Sequence, residues 1–329
     1  MTKVVTDPAA SIRARLLNHA RQHGDDYNRI LTRYAIERLL YRLSLTDATE
    51  RYVLKGAMLF VTWPEHVFRP TGDLDLLGEG NPDSAALTEL FTRIMQVEVK
   101  DDGIVFDPAS LKVEPVREAD KYQGARLAMN ATLAGAKIRV LVDIGFGDHV
   151  YPAPKRQSFP GLLPDMPAAN ILMYPPETVV AEKFQAMVAL GEANTRIKDF
   201  HDIWVTTRTF RFDLASVVEA VGGTLRRRET AIPTQMPLGL TDAFAAIAER
   251  DLWSGFLRRT PPALEPPPFP QLQAELRNFF GPIIAGLGVP EGARGTWDPD
   301  GGTWRDPSRP PKPRVLRSNR QALIGKGVA

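Results

Sequence analysis

The chain has 329 residues, 43% hydrophobic and 24% charged, with a formal net charge of +2. This is the composition of an ordinary soluble globular protein, long enough for two modest domains or one with extensions, and its near-neutral balance does not demand a nucleic-acid partner. The lack of cysteine excludes disulfides, Cys-based zinc sites and thiol catalysis together, and is compatible with a reducing cytoplasm. No signal-peptide core opens the sequence and no apolar run approaches the ~20 residues of a membrane span, so a cytoplasmic protein without membrane association is expected.

Residues 8–44 read as helical. SIRARLLNHARQ places Ile12, Leu16 and Leu17 on one side with Ser11 as an N-cap, and YNRILTRYAIERLLYRLSL repeats Ile30, Leu31, Tyr34, Ile36, Leu39, Leu40 and Leu43 at helical spacing. The arginines from Arg13 to Arg42 read as a solvated face. The apolar run YVLKGAMLFVT (52–62) is too short for periodicity to decide. Its Lys55-Gly56-Ala57-Met58 turn can bring backbone N–H groups close to a phosphate, because Gly56 has no Cβ to bar the approach.

The stretch RPTGDLDLLG follows. Read as a strand, it turns Asp73 and Asp75 to one face and Leu74 and Leu76 to the other. Adjacent carboxylates repel and lose hydration in an enclosed site, so a cation between them is the natural complement. Two carboxylates plus phosphate oxygens suit Mg²⁺ and point to phosphoryl or nucleotidyl transfer. An isolated Asp-x-Asp is, by itself, more often a solvated strand end.

A helix is expected in NPDSAALTELFTRIMQVEV, with Asp83 or Ser84 at its N-cap and Leu87, Leu90, Phe91 and Ile94 inward. Asp102-Gly103 reads as a hairpin turn, and IVFDP, LKVEPV, ARLAMNATL and AKIRVLVDIGF read as strands of a mixed α/β sheet. Asp143 lies among Val140, Leu141, Val142 and Ile144. It either joins Asp73 and Asp75 in a three-carboxylate, two-metal arrangement or pairs with an arginine or caps the Gly145-Phe146-Gly147 turn, and Asp148 either serves in its place or orients a turn.

Residues 151–176 read as a Pro-rich surface crossing. Pro176 opens a helix to about residue 190 with Val180, Phe184, Met187 and Val188 inward and Lys183 at the edge, where most lysines snorkel to water; Gly191 ends it. In NTRIKDFHDIW, Phe200, Ile203 and Trp204 face the core, and Asp199 and Asp202 lie one turn apart. Lys198 and Asp202 have the spacing of an exposed salt bridge, and His201 reads as packing. Residues 208–260 look helical, with a basic tract at Arg226-Arg227-Arg228 that either touches RNA or is a solvated helix end. A breaker-rich linker (260–270) leads to a helix docked through Leu272, Leu276, Phe279 and Phe280, and the Gly-, Pro- and Arg-rich remainder reads as a flexible basic tail.

The run LKGAMLF…FRPTGDLDLLG resembles the first motif of the AbiEii/AbiGii-type nucleotidyltransferase toxins, of the polymerase-β-like nucleotidyltransferase superfamily. LVDIGFGDHVYP and YPPETVVAEKFQAMVALGEANTRIKDFHDIW resemble later stretches of that family in the same order, so the likeness spans roughly residues 30–260. The family usually has Gly-Gly or Gly-Ser where this chain has Gly56-Ala57.

The resemblance implies an α/β (α+β) fold: an N-terminal helical layer (1–50), a nucleotidyltransferase sheet domain (51–175), a C-terminal helical domain (176–288) and the tail (289–329). It implies Mg²⁺ held by Asp73, Asp75 and Asp143, and nucleoside triphosphate contacts from Gly56, Ala57, Arg69, Thr71, Lys183, Arg196 and Lys198. Asp199 or Asp202 would act as a base or orient the acceptor hydroxyl. It further implies RNA as acceptor, in particular a tRNA 3′ end, and a toxin of bacterial abortive infection neutralised by a separately encoded antitoxin. A protein or small-molecule acceptor, and a non-catalytic nucleotide-binding protein, are the other readings the residues leave open.

Overall fold

The computed structural model describes residues 7–63, 71–80, 83–118, 122–262, 264–289 and 292–306. Arg69 lies outside them.

Helix α1 (Pro8–His23) starts where the Asp7 carboxylate accepts the Ala10 N–H at 3.0 Å and ends at Gly24, whose φ of +69° closes the last turn. Asp7 therefore takes the capping role expected of Ser11, which lies one turn inside the helix. Asp26 caps α2 (Tyr27–Ser44) in the same way. This second helix is covered on more than one side, so its arginines do not all form a solvated face. Arg38 and Arg42 are buried; Arg42 makes a two-pronged ion pair with buried Asp102 (2.5 and 3.2 Å), and Arg38 donates to the Pro167 carbonyl at 2.9 Å. Asp102 is thus a buried counter-ion between a helix and a strand, and not the tip of a hairpin.

The sheet has β1 (Tyr52–Lys55), β2 (Asp73–Gly78), β3 (Ile104–Glu118), β4 (Tyr122–Leu133), β5 (Ala136–Phe146), β6 (Lys155–Phe159) and β7 (Ala169–Met173), with α3 (Ser84–Met95) between β2 and β3. The order is β3-β4-β5-β2-β1-β7-β6. The β2–β5 and β1–β7 pairs are parallel and the rest antiparallel. The mixed α/β sheet matches the fold expected from the sequence, although residues 151–176, expected as an irregular crossing, supply both β6 and β7.

Period-two alternation sorts the sheet's two faces. Leu54, Leu74, Leu76, Leu127, Val140, Val142 and Ile144 are buried in one core shared with α1, α2 and α3. The intervening residues point to the opposite face, toward the helical part of the chain. That part comprises α4 (Pro176–Leu190), α5 (Ile197–Thr209), α6 (Leu214–Arg227), α7 (Asp242–Ile247), a π-helical turn (Ala248–Trp253), α8 (Ser254–Arg259) and α9 (Phe269–Gly288). Its own core gathers Val180, Phe184, Phe200, Ile203, Phe279 and Phe280, and also Ala57 and Phe60 from the segment after β1.

Part of the expected flexible tail is ordered. β8 (Thr296–Asp298) and β9 (Thr303–Arg305) form a hairpin that packs on α9. Trp297 is only 2% exposed and its indole donates to the Thr207 carbonyl at 2.7 Å; the Trp304 indole donates to that of Phe279 at 2.9 Å. Two tryptophans supply enough apolar area to hold a short ribbon in a basic, Gly-rich stretch. None of the described helices is long and apolar enough to cross a membrane.

Candidate active site

Alternation and strand register together build the site. Lys55 is the register partner of Asp75, Asp75 of Asp143, and Asp143 of Arg126. Residues opposite one another on neighbouring strands share a face. A cation, two carboxylates and a second cation therefore stand in a row across β1, β2, β5 and β4. Asp73, two residues before Asp75, is on the same face and exposed. All five line a cleft of about 590 Å³ between the sheet and the helical part.

Each end of the row is held differently. At one end, the Lys55 ammonium is 2.6 Å from Asp148 and 3.4 Å from Glu182. Arg228 reaches Asp148 at 2.9 Å and Glu182 at 3.4 Å, and the Tyr174 hydroxyl donates to Glu182 at 3.1 Å. Burial favours the neutral amine, but the Glu182 and Asp148 charges outweigh it and hold the Lys55 pKa above its usual value. Asp148, weighed from the sequence as a metal ligand, is thus paired with two cations; burial is again outweighed, and its pKa is lowered. At the other end, Arg126 donates Nε and Nη2 to the two oxygens of Asp143 at 2.7 and 2.8 Å.

Asp75 is the uncompensated member. Burial pushes its pKa up, Lys55 opposes that, and the Asp143 and Asp73 charges push it up further, to about 6. Gly56, with φ +70°, leaves room for this carboxylate: a Cβ there would lie 1.9 Å from Asp75 Oδ2. Three hard-oxygen carboxylates side by side, one with its charge poorly balanced, fit Mg²⁺ in chemistry and charge. Among the described residues no three acidic or histidine side chains converge as a ready metal site.

The far wall comes from α4 and α5. The Lys183 ammonium does not snorkel to water; it lies 2.9 Å from Asp199 and 2.8 Å from Asp202, both almost fully buried. Arg196 adds a 2.6 Å contact to Asp199. Burial would raise the Asp199 pKa, yet the Lys183 and Arg196 charges outweigh it and hold it below the usual carboxylate range. That suits an orienting anion better than a proton acceptor. Asp202 is paired to Lys183, so the exposed pair expected with Lys198 is not its main tie. Exposed Lys198 lines the cleft with Arg196, Thr71 and Ala57. Ala57, where the family usually has Gly or Ser, also packs in the helical core.

Of the residues expected at the site, Gly56, Ala57, Thr71, Asp73, Asp75, Asp143, Lys183, Arg196, Lys198 and Asp199 line this one cleft, and Asp202 stands behind Lys183. Sequence reasoning missed Lys55, Arg126, Glu182 and Arg228. The signals were faint: Lys55 adjoins the Gly56 turn, Arg126 is a lone charge in an alternating strand, and Arg228 ends a tract read as solvated or RNA-facing. Arg228 in fact turns inward, also donating to Gln185 at 3.0 Å.

No curated protein matches the chain. Two solved Helicobacter pylori structures resemble it at 14% identity and a TM-score of 0.41: JHP933, covering 83% of this chain and 93% of that one, and a candidate nucleotidyltransferase, covering 83% and 96%. The family model for the nucleotidyl transferase AbiEii toxin of type IV toxin–antitoxin systems matches residues 38–275, which include every residue named in the cleft. The chain belongs to the AbiEii family of nucleotidyltransferase toxins.

Proposed function

We propose that this nucleotidyltransferase uses Mg²⁺ held by Asp73, Asp75 and Asp143 to transfer a nucleoside monophosphate from a nucleoside triphosphate to an RNA acceptor, with a tRNA 3′ end favoured. The observation that carries the reading is the in-register placement of Asp75 and Asp143, with Asp73 on the same face, at the floor of a cleft whose far wall is cationic. Bound there, Mg²⁺ neutralises phosphate charge and makes the attacking hydroxyl more acidic.

The chain's own groups supply the rest. The absent Cβ of Gly56 lets backbone and Asp75 approach closely. Lys55 counters the pressure on Asp75 to take up a proton. Thr71, Lys183, Arg196 and Lys198 face the space a triphosphate would fill, where fixed cations stabilise the charge that gathers on the leaving pyrophosphate. Asp199 and Asp202 fix the Lys183 ammonium, and Asp199, which lines the cleft, orients the acceptor. Arg69 is assigned to the phosphates from its sequence motif alone.

A second cavity of about 280 Å³ supports a nucleic-acid acceptor. It shares Arg196 and Lys198 with the cleft, continues to Thr195, Arg259 and Thr260, and has no carboxylate in its lining. Such a lining suits a phosphodiester backbone. Membership in a toxin–antitoxin family supports an antitoxin partner, and the nucleotide and tRNA substrates proposed above would be met in the cytoplasm.

The test is incubation of the protein with Mg²⁺, total tRNA and each α-labelled nucleoside triphosphate in turn. Label in the RNA fraction is expected, and the active triphosphate identifies the nucleotide. Label in protein alone would overturn the RNA acceptor and keep the enzyme.

A further inference from the structure

Of the two cations that end the row across the sheet, one is largely buried and the other exposed. Lys55 is pinned between Asp148 and Glu182, with its side chain 15% exposed. Arg126 is 52% exposed and projects from β4, and its partner Asp143 is 32% exposed. The pair uses both oxygens of Asp143. A metal ion can use that carboxylate fully only if the guanidinium lets go.

A cross-strand ion pair that merely holds β4 to β5 is the plainer explanation. Yet those strands are already paired continuously from Gly124–Gly145 to Leu133–Ala136, so register does not depend on it. An exposed ion pair is also weak, and a divalent ion shared among several carboxylates competes with it readily. Arg126 lines the cleft together with Asp73 and Asp75, so a released guanidinium would have the cleft's own contents within reach. Its planar fork matches the oxygens of a phosphate as well as those of a carboxylate.

We propose that Arg126 is a place-holding cation. It occupies Asp143 while the cleft is empty, yields it to a metal–nucleotide complex, and turns its guanidinium onto the nucleotide's phosphates. The inference rests on the Mg²⁺ reading above. It makes the protein without nucleotide a poor metal binder and links metal binding to nucleotide binding.

The test is Mn²⁺ binding followed by the EPR signal of the free ion, without turnover. Wild type, Arg126→Met, Asp143→Asn and the double variant are compared, each with and without a non-hydrolysable α,β-methylene nucleotide. Circular dichroism checks folding, and Arg126→Lys serves as a second variant that keeps the charge but not the fork. Without nucleotide, Arg126→Met should bind Mn²⁺ about three- to tenfold more tightly than wild type, an advantage that disappears in the Asp143→Asn background. With Mn²⁺ present, Arg126→Met and Arg126→Lys should both bind the nucleotide more weakly. Equal Mn²⁺ affinity of wild type and Arg126→Met, with Asp143→Asn weakened, would overturn the place-holder and leave the metal site standing. Unchanged Mn²⁺ affinity in Asp143→Asn would remove Asp143 from the metal site, and the place-holder with it.

Discussion

Gly56 and Asp75 lie so close that a single added carbon would collide with the carboxylate: a Cβ at residue 56 would come within 1.9 Å of Oδ2. The glycine also has φ +70°, which L side chains seldom adopt. Gly56→Ala must therefore strain the backbone, displace Asp75, or both. A loss of about 1–3 kcal/mol in urea unfolding is expected from the conformation alone, with nucleotide transfer falling by much more than that loss of folded protein explains. Retained transfer would show that the placement of Asp75 is not critical.

Lys183 is a structural cation as well as a proposed phosphate contact. Its removal leaves Asp199 and Asp202, 3% and 1% exposed in their side chains, without the ammonium between them. Lys183→Met should lower stability by about 3–5 kcal/mol. The triple variant Lys183→Met/Asp199→Asn/Asp202→Asn should recover most of that stability while transfer stays lost. Recovery of both would assign Lys183 a structural role only.

Glu37, on α2, is buried with one oxygen accepting the Leu162 N–H at 3.0 Å and the other 3.2 Å from Arg33 Nε. Burial raises its pKa from 4.5 to about 7 despite the Arg33 charge. The folded protein thus holds this proton more tightly than the unfolded chain, so its contribution to stability falls as pH rises from about 4.5 to about 7 and is flat above. The full span is about 3 kcal/mol. Glu37→Gln should flatten that part of the stability–pH profile, as measured by urea unfolding across pH 4–8.

The carboxylate-free groove beyond Lys198 makes a kinetic prediction. Arg259 is exposed at the end of α8 and outside the main cleft. Arg259→Glu should raise KM for the RNA acceptor, leave KM for the triphosphate unchanged, and reduce the salt dependence of RNA binding by about one counterion or more. A rise in triphosphate KM instead would assign the groove to the nucleotide.

How much of this was legible in the sequence depended on range. Alternation in RPTGDLDLLG put Asp73 and Asp75 on one face of a strand, the apolar neighbours of Asp143 marked a largely buried strand, and Pro176 and Gly191 marked the ends of α4, because these signals are local. Register is not local. That Asp143 stands beside Asp75 follows from a parallel β2–β5 pairing across about seventy residues, and that Arg126 stands beside Asp143 follows from the antiparallel β4–β5 pairing. Arg38 and Arg42 were misread for one reason: helical spacing tells which side a residue is on, and not what later covers that side. β6 and β7 were hidden by prolines around short strands, and the Trp297 hairpin by the composition of its neighbours.

Asp75 gives the most direct test of the central claim, that the cleft is a metal-dependent transfer site. Its raised pKa marks a charge kept where folding alone would favour a neutral group. The measurement is α-labelled nucleotide transfer at saturating Mg²⁺ by wild type and Asp75→Asn, with urea unfolding of both. The account predicts a variant as stable as wild type or more so, by about 1–2 kcal/mol, with transfer reduced by three orders of magnitude or more. A folded Asp75→Asn protein that transfers label at the wild-type rate would contradict it.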